Sequence, residues 1–124
     1  MVQVASYEVW VGSDALPRAK TTVAYRKKTS SAEASGDGGY DAFMNALKKA
    51  VKTFRLAVPA LQDFRVRIPP GGRTSALVET VITWRGEAGE DAWSTLGVDS
   101  DQLAAAVIAT EKMLNAVAVR REKR

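Results

Sequence analysis

Cysteine and histidine are both absent from the 124 residues of this sequence. Without cysteine the chain has no disulfides and no thiol chemistry, which fits a reducing compartment. Without histidine it also lacks the usual zinc ligands, the commonest general base and every Ser-His or Cys-His catalytic arrangement. The carboxylates are scattered over turns and helix starts and form no paired acid and base. We therefore expect no catalytic residue, no metal site and no cofactor.

Long apolar runs and a secretory leader are also missing. No stretch of the sequence approaches a membrane span, and no charged, apolar and small-residue signal opens it. A chain of 124 residues is long enough for one two-layer core of helices on a sheet. We expect a soluble, cytoplasmic protein with no membrane partner.

The formal charge of +4 raises the question of a nucleic-acid partner. Much of the excess lies in the terminal run 120–124 and on one helix face with Lys48, Lys49 and Lys52. Arg65 and Arg67 alternate on one strand face, but that strand offers no aromatic side chain there for base stacking. We expect no nucleic-acid partner.

An internal repeat organises the chain. Each half has an alternating apolar and polar segment, then a longer alternating run, then a short third one, as half-buried strands do. The predicted strands are 7–11, 19–26 and 31–35 in the first half, and 64–68, 76–85 and 92–96 in the second. The turns Pro69–Gly72 and Gly86–Gly89 are predicted as hairpin connections.

A helix closes each half. Apolar residues recur at helical spacing in both, at Phe43, Leu47, Ala50, Val51 and Phe54, and at Leu103, Val107, Thr110, Leu114 and Val117. Asp99 with Gln102 predicts a capping box at the second helix. The predicted fold class is α+β, with two βββα repeats whose antiparallel sheet packs against two helices. We expect a single domain over 1–119, with units at about 4–56 and 61–118, and a basic tail at 120–124.

Glycine-rich junctions precede both predicted helices. Gly36, Gly38 and Gly39 permit φ > 0 and a close backbone approach, and the following helix start presents N–H groups that bind anions. The segment 96–103 has the same order of strand, glycine and capped helix. A tight turn into a helix, with no ligand, explains the first glycine cluster equally simply.

The order of these motifs resembles the C-terminal regulatory domain of 2-isopropylmalate synthase and citramalate synthase. The resemblance runs from about Ala5 to Ala118, and its motifs are Gly36-Asp37-Gly38 before Tyr40-Asp41-Ala42, Leu61-Gln62-Asp63-Phe64, Gly97-Val98-Asp99 and the helix end Leu114-Asn115. In that family the domain is joined to a catalytic TIM barrel, an acyltransferase that condenses acetyl-CoA with a 2-oxo acid. That barrel carries histidine metal ligands, and none of it is present here.

The resemblance implies two roles, the pairing of two subunits and feedback inhibition by a bound branched-chain amino acid. Leucine is the first choice of effector; an isoleucine-sensing citramalate synthase domain and a ligand-free dimerisation module are the alternatives. The implied partners are therefore the effector, a second copy of the chain and the catalytic barrel.

A free amino acid needs N–H donors for its carboxylate, acceptors for its ammonium and an apolar recess. We expect the backbone of Gly38, Gly39 or Tyr40 to hold the carboxylate, Asp37, Asp99 or glycine-turn carbonyls to meet the ammonium, and Phe64 with Val98 to line the recess. The predicted effector-binding residues are Gly36, Asp37, Gly38, Gly39, Tyr40, Asp41, Phe64, Gly97, Val98 and Asp99. The family usually has the sequence Gly-x-Gly-Pro at this junction. This chain has Gly39 at the position of the proline, followed by Tyr40, and this difference leaves the identity of the effector open.

Overall fold

The computed structural model describes residues 1–68 and 77–123. Its elements are β1 (Gln3–Trp10), β2 (Arg18–Tyr25), β3 (Lys28–Ser35), α1 (Gly39–Val51), a 3-10 turn (Lys52–Phe54), β4 (Leu61–Arg67), β5 (Val78–Trp84), β6 (Trp93–Asp99) and α2 (Gln102–Glu122). Three strands followed by a helix therefore occur twice. The predicted α+β class with two βββα repeats is confirmed.

Both sheets are antiparallel meanders of three strands, in the orders β1-β2-β3 and β4-β5-β6. The first strand of each sheet has a register shift near its start, between Val4 and Ser6 in β1 and between Leu61 and Asp63 in β4. The chain divides into two compact units. The first comprises Met1–Ala57 with Val117–Arg124, and the second comprises Val58–Ala116.

The core of the first unit forms where β2 faces α1. Alternate β2 residues point inward and are buried, because an antiparallel strand with one covered face buries every second side chain; these are Ala19, Thr21, Val23 and Tyr25. The predicted apolar face of α1 is buried as well. Tyr7 packs edge-on against Phe43, with 5.8 Å between ring centroids. Lys48 and Lys49 lie on the exposed face of α1, as predicted.

The core of the second unit lies between β5, β6 and α2. Thr80, Ile82 and Trp84 are fully buried, and alternate on β5 as the sequence pattern predicted. Trp84 Nε1 donates to Thr95 Oγ1 at 3.0 Å, and Thr95 Oγ1 donates to the carbonyl of Ala109 on α2 at 2.7 Å. This relay fixes α2 against β6.

Gly97 is a point of direct backbone contact between β6 and α2. A methyl group at this position would overlap the carbonyl oxygen of Ala105 and would lie 2.7 Å from the nitrogen of Ala109. Only glycine lets the helix approach the strand this closely. The expectation that Gly97 lies in the junction between the third strand and the helix is therefore wrong, since β6 continues through it to Asp99.

Other element boundaries also differ from the predicted ones. β1 begins at Gln3 and β3 at Lys28, so the third strand is eight residues long. The predicted strand 76–85 is observed as Val78–Trp84, and Ala76 and the turn Pro69–Gly72 lie outside the described residues. The connection at Gly86–Gly89 does join β5 to β6, with a Glu90 N–H bond to the Glu87 carbonyl at 2.8 Å.

The cap of α2 lies two residues later than predicted. Asp101, not Asp99, precedes the helix, and its Oδ2 accepts the N–H of Ala104 at 2.8 Å. Asp99 Oδ1 instead accepts the N–H of Asp101 at 2.9 Å. Both aspartates act as local acceptors, but the N-cap position belongs to Asp101.

The last turn of α2 packs within the first unit. The Tyr25 hydroxyl donates to Glu122, and Arg121 donates to the carbonyl of Phe54. The bond to Tyr25 lowers the pKa of the Glu122 carboxyl and raises the pKa of the Tyr25 hydroxyl. Residues 120–122, predicted as part of a solvated tail, are therefore helical.

Helix α2 is also long and apolar enough to meet the length and composition test for a membrane span. The expectation that no stretch approaches a span is thus wrong on composition. Less than half of the apolar window is buried. Within it, the backbone of Ala109 accepts a hydrogen bond from Thr95 of β6, and the core helix of a soluble protein passes the same test.

Candidate functional site

The first glycine junction connects β3 to α1 through a set of short backbone bonds. Gly36 N–H donates to the carbonyl of Pro17 at 3.1 Å, and Asp37 N–H donates to Asp41 Oδ2 at 2.8 Å. Helix α1 begins at Gly39 with Gly38 as its N-cap, and no side chain caps it. An uncapped helix start directs N–H groups and a partial positive charge outward.

Of the three glycines, Gly36 is required for a close backbone approach, and none is required for an unusual dihedral. None of them has positive φ, so that part of the expectation is wrong. A methyl group on Gly36 would lie 2.6 Å from Asp41 Oδ2 and would overlap the nitrogen of Ala42. A methyl group on Gly39 would lie 3.3 Å from Val9 Cγ1, which is a tight contact. A methyl group on Gly38 would meet nothing within 4 Å.

An apolar recess opens beside this junction, with a volume of about 770 Å³. Its lining comes from the end of β1, the β1–β2 loop and the facing ends of β2 and β3, namely Val9, Trp10, Val11, Gly12, Ala15, Leu16, Arg18 and Ser35. Val11 and Leu16 are 70% and 69% exposed. Ser35 of the lining directly precedes Gly36, so the recess and the junction are adjacent.

A charged group stands at the edge of the recess. The Arg18 guanidinium lies 4.4 Å from the ring centroid of Trp10 and pairs with Glu33 at 3.2 Å. Trp84 is fully buried, whereas Trp10 is 40% exposed and lines the recess. This lining was not predicted from the sequence. The available signals were Leu16, an apolar residue inside the predicted turn, and Val11 at the end of the predicted strand 7–11.

The predicted site residues of the second unit are arranged differently. Phe64 is paired with Ile82 and Gly97 with Thr80, so both lie on the face of the sheet that packs on α2. Val98 is paired with Glu79 and therefore points to the opposite face. The structure thus does not bring Phe64 and Val98 together in one recess of this unit.

Comparison with known families decides the affiliation of the chain. The family model described as the LeuA allosteric (dimerisation) domain matches residues 1–118. The chain belongs to the LeuA allosteric (dimerisation) domain family. The resemblance drawn from the glycine junctions and the repeat is therefore confirmed.

A curated relative agrees with this family. The chain is 37% identical over 70 residues to an (R)-citramalate synthase of Geobacter sulfurreducens. The aligned part is 55% of this chain and 13% of that enzyme. The chain therefore spans a small part of the relative's length. Within this chain, the match to the LeuA domain family covers 118 of the 124 residues. The sequence contains a regulatory domain of a synthase family and no catalytic domain.

Proposed function

We propose that this domain binds a branched-chain amino acid, leucine in the first place, and thereby mediates feedback inhibition of a synthase whose subunits it pairs. The parent enzyme is a 2-isopropylmalate or citramalate synthase with a catalytic TIM barrel, located in the cytoplasm. The observation that carries the proposal is the apolar recess of about 770 Å³ beside the uncapped start of α1. An isoleucine effector and a ligand-free dimerisation module are the alternatives.

The recess and the junction together offer what a zwitterion with an aliphatic side chain needs. The helix start supplies N–H donors and positive potential for the carboxylate. Asp41, whose carboxylate already accepts the N–H of Asp37, and Asp37 itself supply negative charge for the ammonium. Val9 and Leu16 supply apolar surface for the side chain. The volume falls in the range of about 300–1,000 Å³ typical of small-molecule sites.

Phe64, Gly97, Val98 and Asp99 of the second unit remain proposed effector-binding residues. Phe64 and Gly97 lie on the same face of the second sheet, whereas Val98 lies on the opposite face. Phe64 and Gly97 are therefore better placed than Phe64 and Val98 to contact the same ligand. Inhibition follows if the effector binds one state of the domain more tightly than another, because that difference in affinity is what a catalytic barrel can sense.

Gly38→Asp is expected to abolish effector binding while it stabilises the free domain. Gly38 has extended dihedrals, φ −143° and ψ 175°, and open space around it, which suit an aspartate N-cap. The new carboxylate takes the helix N–H groups that the effector's carboxylate would use. We expect the free energy of unfolding to rise by about 0.2–0.5 kcal/mol. Thermal unfolding with and without leucine measures both effects.

Two controls complete this experiment. Gly38→Ser caps the helix without charge and should leave more of the binding than Gly38→Asp. In the parent chain, leucine at 100 times its dissociation constant should add about 2.7 kcal/mol of stability. If leucine, isoleucine and valine all leave the parent's melting curve unchanged, the sensing proposal fails and the dimerisation module remains.

For dimerisation we propose the outer face of the second sheet, away from α2. Val81, Leu96 and Val98 share this face with the charged residues Arg65, Arg67 and Glu79, and Leu96 and Val98 are 40% and 39% exposed. The outer face of the first sheet is polar, with Glu8, Lys20 and Glu33 in one register row. A two-fold pairing of identical apolar patches is the commonest way for a chain to dimerise.

The double variant Leu96→Asp with Val98→Asp is expected to be monomeric, because two carboxylates at the centre of an apolar interface are costly to desolvate. Sedimentation equilibrium measures the mass. The matched control changes two outward residues of β3, Thr29→Asp with Ser31→Asp, and should leave the dimer intact. A dimer that survives in the first variant and dissociates in the second would place the interface on the other sheet.

A further inference from the structure

The described residues with left-handed backbone that are not glycine gather around one cleft of the first unit. Arg26 and Lys27, with φ of 52° and 63°, form the turn between β2 and β3, and Arg55, with φ of 57°, follows the 3-10 turn after α1. Glycine or asparagine is favoured at such positions. Strained residues of this kind cluster at functional sites when their side chains are needed there.

The cleft has a volume of about 310 Å³ and is strongly basic. Four cationic side chains line it, those of Arg26, Lys28, Arg55 and Arg121, together with the hydroxyl groups of Tyr25 and Thr53. Two of the three left-handed residues therefore contribute cations to the same cleft. The Tyr25 hydroxyl donates its proton to Glu122, and the Thr53 hydroxyl pairs with Ser30 Oγ at 3.0 Å.

Little of this positive charge is neutralised within the chain. Arg26 pairs with Glu122 at 3.4 Å, and within 1–68 and 77–123 it is the one lining cation with an ion-pair partner. Arg121 donates to the carbonyl of Phe54, which fixes its guanidinium at the cleft without neutralising it. Lys28, Arg55 and Arg121 thus direct positive charge to one small volume.

We propose that this cleft binds a multiply charged phosphate anion. Guanidinium groups bind phosphate oxygens with paired N–H donors, and an ammonium adds a point charge. The cleft does not suit the amino-acid effector, because the effector's ammonium would lie among four cations. It therefore forms a second site, at the other end of β2 and β3 from the glycine junction.

Calorimetric titration of the 124-residue chain with inorganic phosphate, pyrophosphate and ADP, at fixed pH and ionic strength, tests the site. We expect saturable binding with pyrophosphate tighter than phosphate, and Lys28→Gln with Arg55→Gln should weaken it at least tenfold. The matched control, Lys48→Gln with Arg67→Gln, removes the same charges from exposed positions elsewhere and should bind like the parent. Tighter binding of ADP than of pyrophosphate would identify a nucleotide as the source of the phosphate.

Arg55→Gly separates binding from folding. Because glycine adopts positive φ without strain, this variant should raise the melting temperature by about 3–5 °C while it weakens pyrophosphate binding. The proposal is overturned if no anion binds saturably, if the Lys48 and Arg67 control loses as much affinity as the cleft variant, or if citrate binds as tightly as pyrophosphate. None of these results bears on leucine binding, so the two sites are tested independently.

Discussion

Gly97→Ala is expected to destabilise the domain by about 3 kcal/mol or more. The added methyl group overlaps the backbone of Ala105 in the first turn of α2, and helix backbone cannot move aside as the end of a flexible side chain can. Overpacking of a close-packed core commonly costs about 1–3 kcal/mol and more where nothing can relax. Urea unfolding followed by circular dichroism measures the loss.

Gly38→Ala is the matched control for this prediction. Its methyl group meets nothing within 4 Å, and its dihedrals are extended, so the change should stay within about 1 kcal/mol. If Gly97→Ala unfolds at the same urea concentration as the parent, α2 does not approach β6 as closely as the structure has it.

Thr95→Val is expected to destabilise the domain by about 1–3 kcal/mol, because valine keeps the shape of threonine and removes its hydroxyl. The Trp84 indole N–H then loses its acceptor, and the Ala109 carbonyl loses a donor. Trp84 is fully buried, so its N–H has little access to water. Chemical unfolding monitored by tryptophan fluorescence reports both the stability and the environment of this indole.

Thr80→Val makes the same chemical change on the neighbouring strand and should have the opposite sign. The Thr80 side chain is buried, and its Oγ1 has no hydrogen-bond partner among the described residues. Replacing an unsatisfied buried hydroxyl by a methyl group should stabilise the domain by about 1 kcal/mol. Equal destabilisation by both variants would show that the Trp84–Thr95–Ala109 relay contributes nothing specific.

Much of the fold follows from periodicity alone. The alternation of Thr21, Val23 and Tyr25 indicates which face of β2 is buried, and Phe43 and Leu47 indicate the buried face of α1. These patterns are strong because one face of each element is buried against the core and the other is exposed to solvent. The match between the halves therefore predicted two βββα units.

The errors arise where several local solutions fit the same residues. β3 consists largely of serine, threonine and alanine, whose weak alternation concealed its first half. Asp99 and Asp101 both suit a helix start, and the extent of β6 decides between them. The sequence does not distinguish a glycine in a turn from a glycine in a strand that a helix approaches closely. Only the packing of α2 against Gly97 shows that the second case applies.

The backbone N–H donors of the candidate site could be predicted from the sequence, whereas its apolar lining could not. The glycines and the helix start at Gly38 mark N–H donors directly in the sequence. Val11 and Leu16, by contrast, lie in a loop between strands, where no periodicity indicates which way a side chain points. The basic cleft was hidden for a similar reason, because Arg26 and Arg55 adopt dihedrals that their residue type does not suggest.

The last turn of α2 lies beyond the end of the family match at residue 118. A fragment trimmed to that boundary would keep every residue by which the family is recognised and would lose both Arg121 and Glu122. The carbonyl of Phe54 and the hydroxyl of Tyr25 would then form hydrogen bonds to water instead. Amide exchange at the end of β2 should therefore be faster in such a fragment than in the 124-residue chain.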